Sequence, residues 1–323
     1  MRFYSIEIRE TEGAVVKLRY SSQNLDGTNN PACLRVNFDI PFSNASSPAG
    51  LAYIRIYGVP FDQLAQASNL NNNVIIIYGG MSAGLPLANP QQQGIILKGK
   101  IWSAFGNWQG NEVVLELIVT VADVDSTTVQ NYSITWEKGQ QLTDAVKQTL
   151  QIAYNAKPIN IVGSFDPRLI ATSTQIGTYQ NLTQLGVIVK DASKAIINDI
   201  NYNGANITQT NNGFVIYDNS TAYKPKKLSF TDFIGNATYT DYNMINFKLV
   251  LRGDLVVGDV ITMPPKSNIA NSRNSYTQFR DNLSFQNNFR ISQLRHLADS
   301  RTNSSESWCT VVDAYVLTEA QTQ

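Results

Sequence analysis

The 323-residue chain holds one histidine, two cysteines and no surplus of either charge. Each shortage removes a class of function. His296 alone cannot supply an H-E-x-x-H pair, and Cys33 and Cys309 lack metal-ligand spacing, so no metal-binding residue is nominated. Two cysteines also fall short of a disulfide framework. Both are expected as free, partly buried thiols, with a pairing between them as the alternative. Lys+Arg and Asp+Glu each number 25, whereas a nucleic-acid binder carries a basic excess that neutralises phosphates. No run approaches the roughly 20 apolar residues that span a bilayer, so membrane insertion is not expected. The opening MRFYSIEIRE is a strand pattern carrying charges rather than a signal peptide, which points to a chain made and kept in a cytosol. The phosphate loop G-x-x-x-x-G-K-[ST] is missing, and no cofactor is expected.

Charge of both signs is scarce, at 15% of residues, and the polar surface falls to Asn, Gln, Ser and Thr. Low charge removes a common guard against self-association, which suits a protein that lives inside an assembly. Catalytic patterns are thin. Gly80-Met81-Ser82-Ala83-Gly84 fits G-x-S-x-G directly after a strand. A nucleophile elbow must lead into a helix, and Leu85-Pro86 followed by Asn89-Pro90 argues against one. The motif therefore reads as a Gly-rich loop, and Ser82 is not nominated. Glu116, Asp123 and Asp125 offer too few oxygens in one loop for calcium. Paired carboxylates for glycoside hydrolysis cannot be singled out from sequence. The N-x-[ST] matches at Asn131, Asn181, Asn206 and Asn236 are expected by chance in an Asn- and Thr-rich chain. No catalytic residue is nominated.

What the chain has is strand pattern. Ile245, Phe247, Leu249 and Leu251 alternate with Asn246, Lys248, Val250 and Arg252, which is the period of a strand with one buried face. A second apolar run holds Leu255, Val257 and Val260, and Arg252-Gly253-Asp254 between the runs predicts a tight hairpin. Residues 1–125 give strands at 3–8, 34–40, 53–58, 73–80, 95–102 and 112–121, with one short helix over Asp62–Ser68 capped by Asp62. Residues 126–225 change character. Leu142, Val146, Leu150 and Ala153 fall at helical spacing over Gln140–Tyr154, ended by Lys157-Pro158. A second helix is predicted at Asn181–Val187 and a strand at 212–219. Residues 226–323 return to strand, at 287–296 and 308–317, around a polar loop at 266–282; the tail TEAQTQ is not expected to be ordered. The fold class is therefore mainly β with a small α+β insert at 126–225.

Three stretches carry a resemblance. They are NNVIIIYGGMSAGLPLANPQQQGIILKGKIW, FTDFIGNATYTDYNMINFKLVLRGDLVVGDVITM and FRISQLRHLADSRTNSSESWCTVVDAYVL. In the last, His296, Asp299, Ser300 and Arg301 precede Trp308 and Thr310 in a His-x-x-Asp-Ser-Arg loop and Trp-x-Thr strand. Together they resemble the baseplate central hub proteins of contractile-tailed bacteriophages, the tail-hub or late-control-D-like family. The resemblance implies two β-barrel tube-type domains, 1–125 and 226–323, flanking the insert. It implies a homotrimer whose six similar domains make a pseudo-sixfold ring, joining a sixfold tail tube to a threefold central spike. The implied partners are spike, tail tube and baseplate wedge proteins. The tape-measure protein and DNA would pass through the channel without sequence-specific binding. The implied location is the virion baseplate, assembled in the host cytoplasm. Trp308, Arg301, Arg252 and, in the polar loop, Tyr276 are the candidate subunit contacts, with ordinary packing as the alternative for Trp308. Two other readings compete: a tube-type or distal-tail ring, and a β-rich polysaccharide-binding or cell-wall-degrading tail protein.

Overall fold

Alternating and near-continuous apolar runs assemble into one sheet of thirteen strands. The computed structural model describes residues 2–43, 51–82, 89–121, 132–154, 160–200, 202–211, 213–241, 244–264 and 288–317. The first region supplies β1 (Arg2–Arg9), β2 (Val16–Ser21), β3 (Arg35–Ser43), β4 (Ala52–Tyr57), α1 (Phe61–Ala65), β5 (Val74–Met81), β6 (Gly94–Gln109) and β7 (Glu112–Val121). The middle supplies β8 (Tyr132–Trp136), α2 (Leu142–Ala153), β9 (Ile161–Gly163), β10 (Gln175–Tyr179), α3 (Leu182–Ile197), β11 (Asn206–Thr210) and β12 (Gly213–Tyr217). The last supplies β13 (Lys226–Lys227), β14 (Thr238–Asp241), β15 (Met244–Val250), β16 (Val260–Thr262), β17 (Asn288–Asp299) and β18 (Trp308–Val316).

The main sheet runs β14-β15-β18-β17-β3-β4-β7-β6-β5-β1-β2, with β16 on β17 and β13 on β16. Strands from both ends of the chain thus share one ladder, because β17 pairs antiparallel with β3 from Gln293↔Ser43 to Asp299↔Asn37. Among the described residues β14 and β2 are the two ends of that order, and no ladder joins them. The insert keeps two small sheets, β10-β8 and β11-β12-β9, against α2 and α3.

Three apolar clusters fill the interior. The first gathers Ile6, Phe38, Ile54, Ile77 and Leu117, and also Leu251, Ala298 and Trp308 from the far end of the chain. The second lies wholly within the insert, around Trp136, Val146, Leu150, Leu185 and Ile216. The third joins Ile245, Phe247, Leu249, Phe289, Ile291 and Val312, and Phe42 borders both it and the first. Ile245, Phe247, Leu249 and Leu251 are all buried, as their alternation requires.

The structure departs from the sequence reading at several elements. The hairpin predicted at Arg252-Gly253-Asp254 is absent: β15 pairs with β18, and β16 pairs with β17 and β13. Gly253 instead donates its N–H to Gln92 O and lies so close to Gly94 that an added Cβ would come within 2.7 Å of its backbone. The turn is thus pinned to the start of β6, and the run around Leu255 and Val257 bends rather than extends. The short helix starts after Pro60, so Asp62 sits in its first turn instead of capping it. Asn181 does cap α3, accepting from Gln184 N, but the helix continues ten residues past Val187 to a left-handed Asn198. The polar loop at 266–282, the Lys157-Pro158 stop and the tail lie outside the described residues.

Leu249 is fully buried in the third cluster, opposite Thr310 on β18. Leu249→Asp would place an unpaired carboxylate there, at a cost of about 4 kcal/mol. The expected outcome is loss of the cooperative unfolding transition in urea; an unchanged transition would contradict the facing of β15.

Candidate assembly site

The loop between β17 and β18 gathers most of the singled-out residues, and it acts as a clasp. Asp299 accepts from Arg35 Nε at 3.2 Å and Nη2 at 2.7 Å, and from the backbone N–H groups of Arg301 and Thr302 at 3.1 Å each. Burial works against the Asp299 carboxylate, but these donors outweigh it and hold its pKa well below the usual range. Ser300 exchanges two hydrogen bonds with Val36, N–H to O and N–H to Oγ, each 2.9 Å. Arg2 reaches in from β1 and donates to Asp299 O at 2.6 Å and Ser307 Oγ at 2.8 Å, with its guanidinium 5.7 Å from the Trp308 ring centroid. Trp308 is buried, donates Nε1–H to Gly80 O at 3.0 Å and packs against Phe38.

Arg252 anchors a second knot. It is only 4% exposed and donates to Asp254 through Nε and Nη2, both at 2.7 Å, and to Asp232 through Nη1 at 3.2 Å. Burial alone would lower its pKa; the two carboxylates reverse that and raise it. Gln92 Nε2 donates to the other oxygen of Asp232, which ties the knot to the segment before β6.

Trp308 and Arg252 are therefore engaged inside the chain, and neither side chain is presented to a neighbour. Arg301 is exposed, with Nη2 donating to Cys33 O at 2.9 Å. Tyr276 lies outside the described residues. Ser82 directly follows β5, and the residues that would complete an elbow after it fall outside the described set. His296, the only base that could serve it, is buried on β17 with Nδ1 at 3.0 Å from Thr310 Oγ1. Thr310 Oγ1 also accepts Arg252 N–H at 3.2 Å. Cys33 and Cys309 are free thiols, the second buried. Among the described residues no group of three His, Cys, Asp or Glu could hold a metal, and no helix is long and apolar enough to cross a membrane.

Two residues that sequence reasoning missed seat the insert. Arg290 points out of the face of β17 opposite the third cluster, yet is only 1% exposed because the insert covers it. It donates to Asp218 O at 2.6 Å and Thr221 O at 3.2 Å, between the rings of Tyr217 and Tyr223. Asn211, in the β11–β12 turn, receives Lys98 N–H at 2.9 Å and donates to Ile95 O at 3.1 Å. It thereby pairs two backbone groups flanking the bulge of β6 against β5. An arginine within the otherwise apolar FRIS run was the available signal for the first; nothing local marked the second. The insert also has a cleft of about 280 Å³ of mixed lining, with Ser133, Thr135, Glu137 and Gln148 beside Ile152 and Ala153.

No protein-family model matches the sequence, and no curated protein matches it. Solved structures do share the fold. One is the Escherichia coli c3393 protein, described as a component of the type VI secretion system with structural similarity to the T4 bacteriophage tail proteins gp27 and gp5. It is 11% identical, with 97% of this chain and 77% of that chain covered at a TM-score of 0.53. Another is the 43 kDa tail protein of prophage MuSo2 from Shewanella oneidensis. It is 9% identical, with 98% of this chain and 97% of that chain covered at a TM-score of 0.54. At these identities the likeness establishes the fold alone, a mainly β architecture with a small helical insert.

Two measurements probe this site. His296 is the only histidine, and burial pushes its pKa down to about 4 from 6.5. Between those values the unfolded chain holds a proton that the folded chain does not, so stability rises with pH there and is lost as pH falls from 6.5 towards 4. Urea titrations from pH 6.5 down to 5 should show a slope that steepens from about 0.7 to about 1.2 kcal/mol per pH unit and that His296→Gln removes. Arg252→Ala should cost about 3 kcal/mol by leaving two carboxylates uncompensated. A loss independent of protein concentration marks the intrachain role, whereas a loss seen only on dilution marks a subunit contact.

Proposed function

We propose that this chain is a structural ring protein of a phage-type tail, the hub that joins a tail tube to a central spike. The observation that carries the reading is the shared strand β17, which joins strands from both ends of the chain in one sheet, in a fold shared over nearly the whole chain with a type VI secretion component and a prophage tail protein. In this reading residues 1–125 and 226–323 are the two tube-type domains and 126–225 is the insert. The second apolar cluster, wholly within 126–225, supports the insert, while Leu251, Ala298 and Trp308 tie the last region into the first cluster. Three copies then present six similar sections, which match a sixfold tube on one face and a threefold spike on the other. The role is structural, with no reaction assigned. Wedge proteins surround the ring, the tape-measure protein and DNA traverse it, and the assembly forms in the host cytoplasm before it becomes part of the virion. A near-neutral polar surface suits such a channel, since basic walls would hold DNA in transit. Exposed Arg301, at the mouth of the clasp, is the contact residue this reading retains, with Tyr276 in the 266–282 loop.

Light scattering or mass photometry across a concentration series tests it. The mass of three chains is expected. Six chains would indicate a tube-type or distal-tail ring, and a single chain at all concentrations would turn the reading towards a polysaccharide-binding tail protein and call for a glycan screen.

A further inference from the structure

Among the described residues the outer half of β6 has an open edge. β5 accompanies β6 only as far as Val74↔Lys100. Beyond it, Ile101 exchanges hydrogen bonds with the turn at Asn72 and Asn73, and Ala104 donates its N–H to Asn71 Oδ1 at 2.8 Å. Ala104 therefore directs its backbone away from β7, and by strand alternation Gly106 and Trp108 do the same. No backbone hydrogen bond joins either to another described segment on that side. Gly106 itself is exposed; α1 lies over its face, with Leu64 Cβ 3.2 Å from where a Cβ would stand, and leaves the edge clear.

Both faces of this edge carry exposed aromatics. Trp108 stacks edge-on against Phe61 at 5.6 Å, at 68% and 60% exposure. On the other face stand Phe105 and Trp102, the latter within the bulge between Ile101 and Ser103. Residues 101–111, IWSAFGNWQGN, contain no charge. The open ends of the main sheet are protected differently: β2 carries Lys17 and Arg19, and β14 is four residues long, bulged, and ends on Asp241. An uncharged, aromatic, unpaired edge is the arrangement that receives a strand.

We propose that the β6 edge from Ala104 to Gln109 is a docking site for an extended, uncharged strand of a different protein. Backbone groups of Gly106 and Trp108 would pair with it, and Phe61 and Trp108 on one face, Phe105 and Trp102 on the other, would hold its apolar side chains. A second copy of this chain fits less well: its sheet ends would bring Lys17, Arg19 or Asp241 against an uncharged aromatic strip, and pairing β6 with β6 is a twofold contact that a three-copy ring does not use. The contact rests on the assembly reading and is tested apart from it.

The probe is the blocked peptide acetyl-Thr-Val-Thr-Tyr-Thr-Val-amide, added to the full chain while backbone amide exchange is followed. The expected result is exchange at Gly106 and Trp108 slowed about tenfold, no effect from the same peptide methylated on alternate backbone nitrogens, and loss of the effect in Trp108→Lys, whose melting temperature stays unchanged. No slowing up to the solubility limit of the peptide, or equal slowing by the methylated peptide, would overturn the site. Protection without peptide that grows with protein concentration would give the edge to a second copy and also overturn it. The mass of the same samples separates the two ideas. Three chains with an edge indifferent to peptide removes only this contact, whereas a single chain with a peptide-protected edge removes only the ring.

Discussion

β17 is hydrogen-bonded along both edges, and on one of them its partner changes midway. β18 follows it from Phe289 to Ala298, while the opposite edge passes from β16, at Asn288 to Arg290, to β3, from Gln293 onward. At the changeover neither strand is in place. Ile291 instead exchanges hydrogen bonds with the turn at Gly258 and Asp259. Gly258 holds a positive φ of 94° there, and a Cβ would stand 2.9 Å from the Tyr217 ring, so the turn, the insert and β17 constrain one another at a single residue. A bulge between Ile291 and Gln293 absorbs the step and keeps Leu294, His296 and Ala298 directed inward after it. The strands on both sides of β17 depend on its holding this register.

Some of the few charges are drawn inward. Arg35–Asp299 and Arg2 on the loop carbonyls join segments 264 and 297 residues apart, while Arg252 gathers Asp232 and Asp254 within the last region. Ion pairs withdrawn from water add little net stability, because desolvation offsets much of the attraction. What they impose is geometry: a bidentate guanidinium accepts few arrangements, and breaking one is costly. The insert follows the same rule, with Arg290 on two carbonyls and Asn211 replacing a missing rung beside β6. Apolar clusters fill each region, and polar contacts decide how the regions meet.

That division explains what was legible. Strand and helix positions follow from side-chain period, so β15, β18 and α2 stood out in the sequence. β6 was read as ending at 102 because Trp102 is the extra residue of a bulge, and the alternation slips there. β2, with Lys17 and Arg19 exposed, and the second half of α3, with Lys190-Asp191 in its middle, carry too few apolar residues to declare themselves. The Arg-Gly-Asp turn has ordinary hairpin chemistry; only the tertiary contact of Gly253 with Gly94 and Gln92 decides against it. The Asp-Ser-Arg and Trp-x-Thr residues were visible as a pattern, but their inward roles depend on β1, β3 and β5, which no local window contains.

The clasp also ties the two ends of the chain together energetically. Leu251, Ala298 and Trp308 complete the first apolar cluster, so strands 1–121 alone lack part of their own core. Their partners on β3 and β5 are more than 200 residues away, as Trp308 to Gly80 and Arg35 to Asp299 illustrate. Closing such long loops costs entropy before any contact repays it, although the cost grows only slowly with length. The first section therefore reaches its final packing when β17 and β18 dock, and β18 cannot dock without also meeting β15. β18 pairs with β17 and with β15, so the contacts that complete the first cluster are made by strands that also build the third.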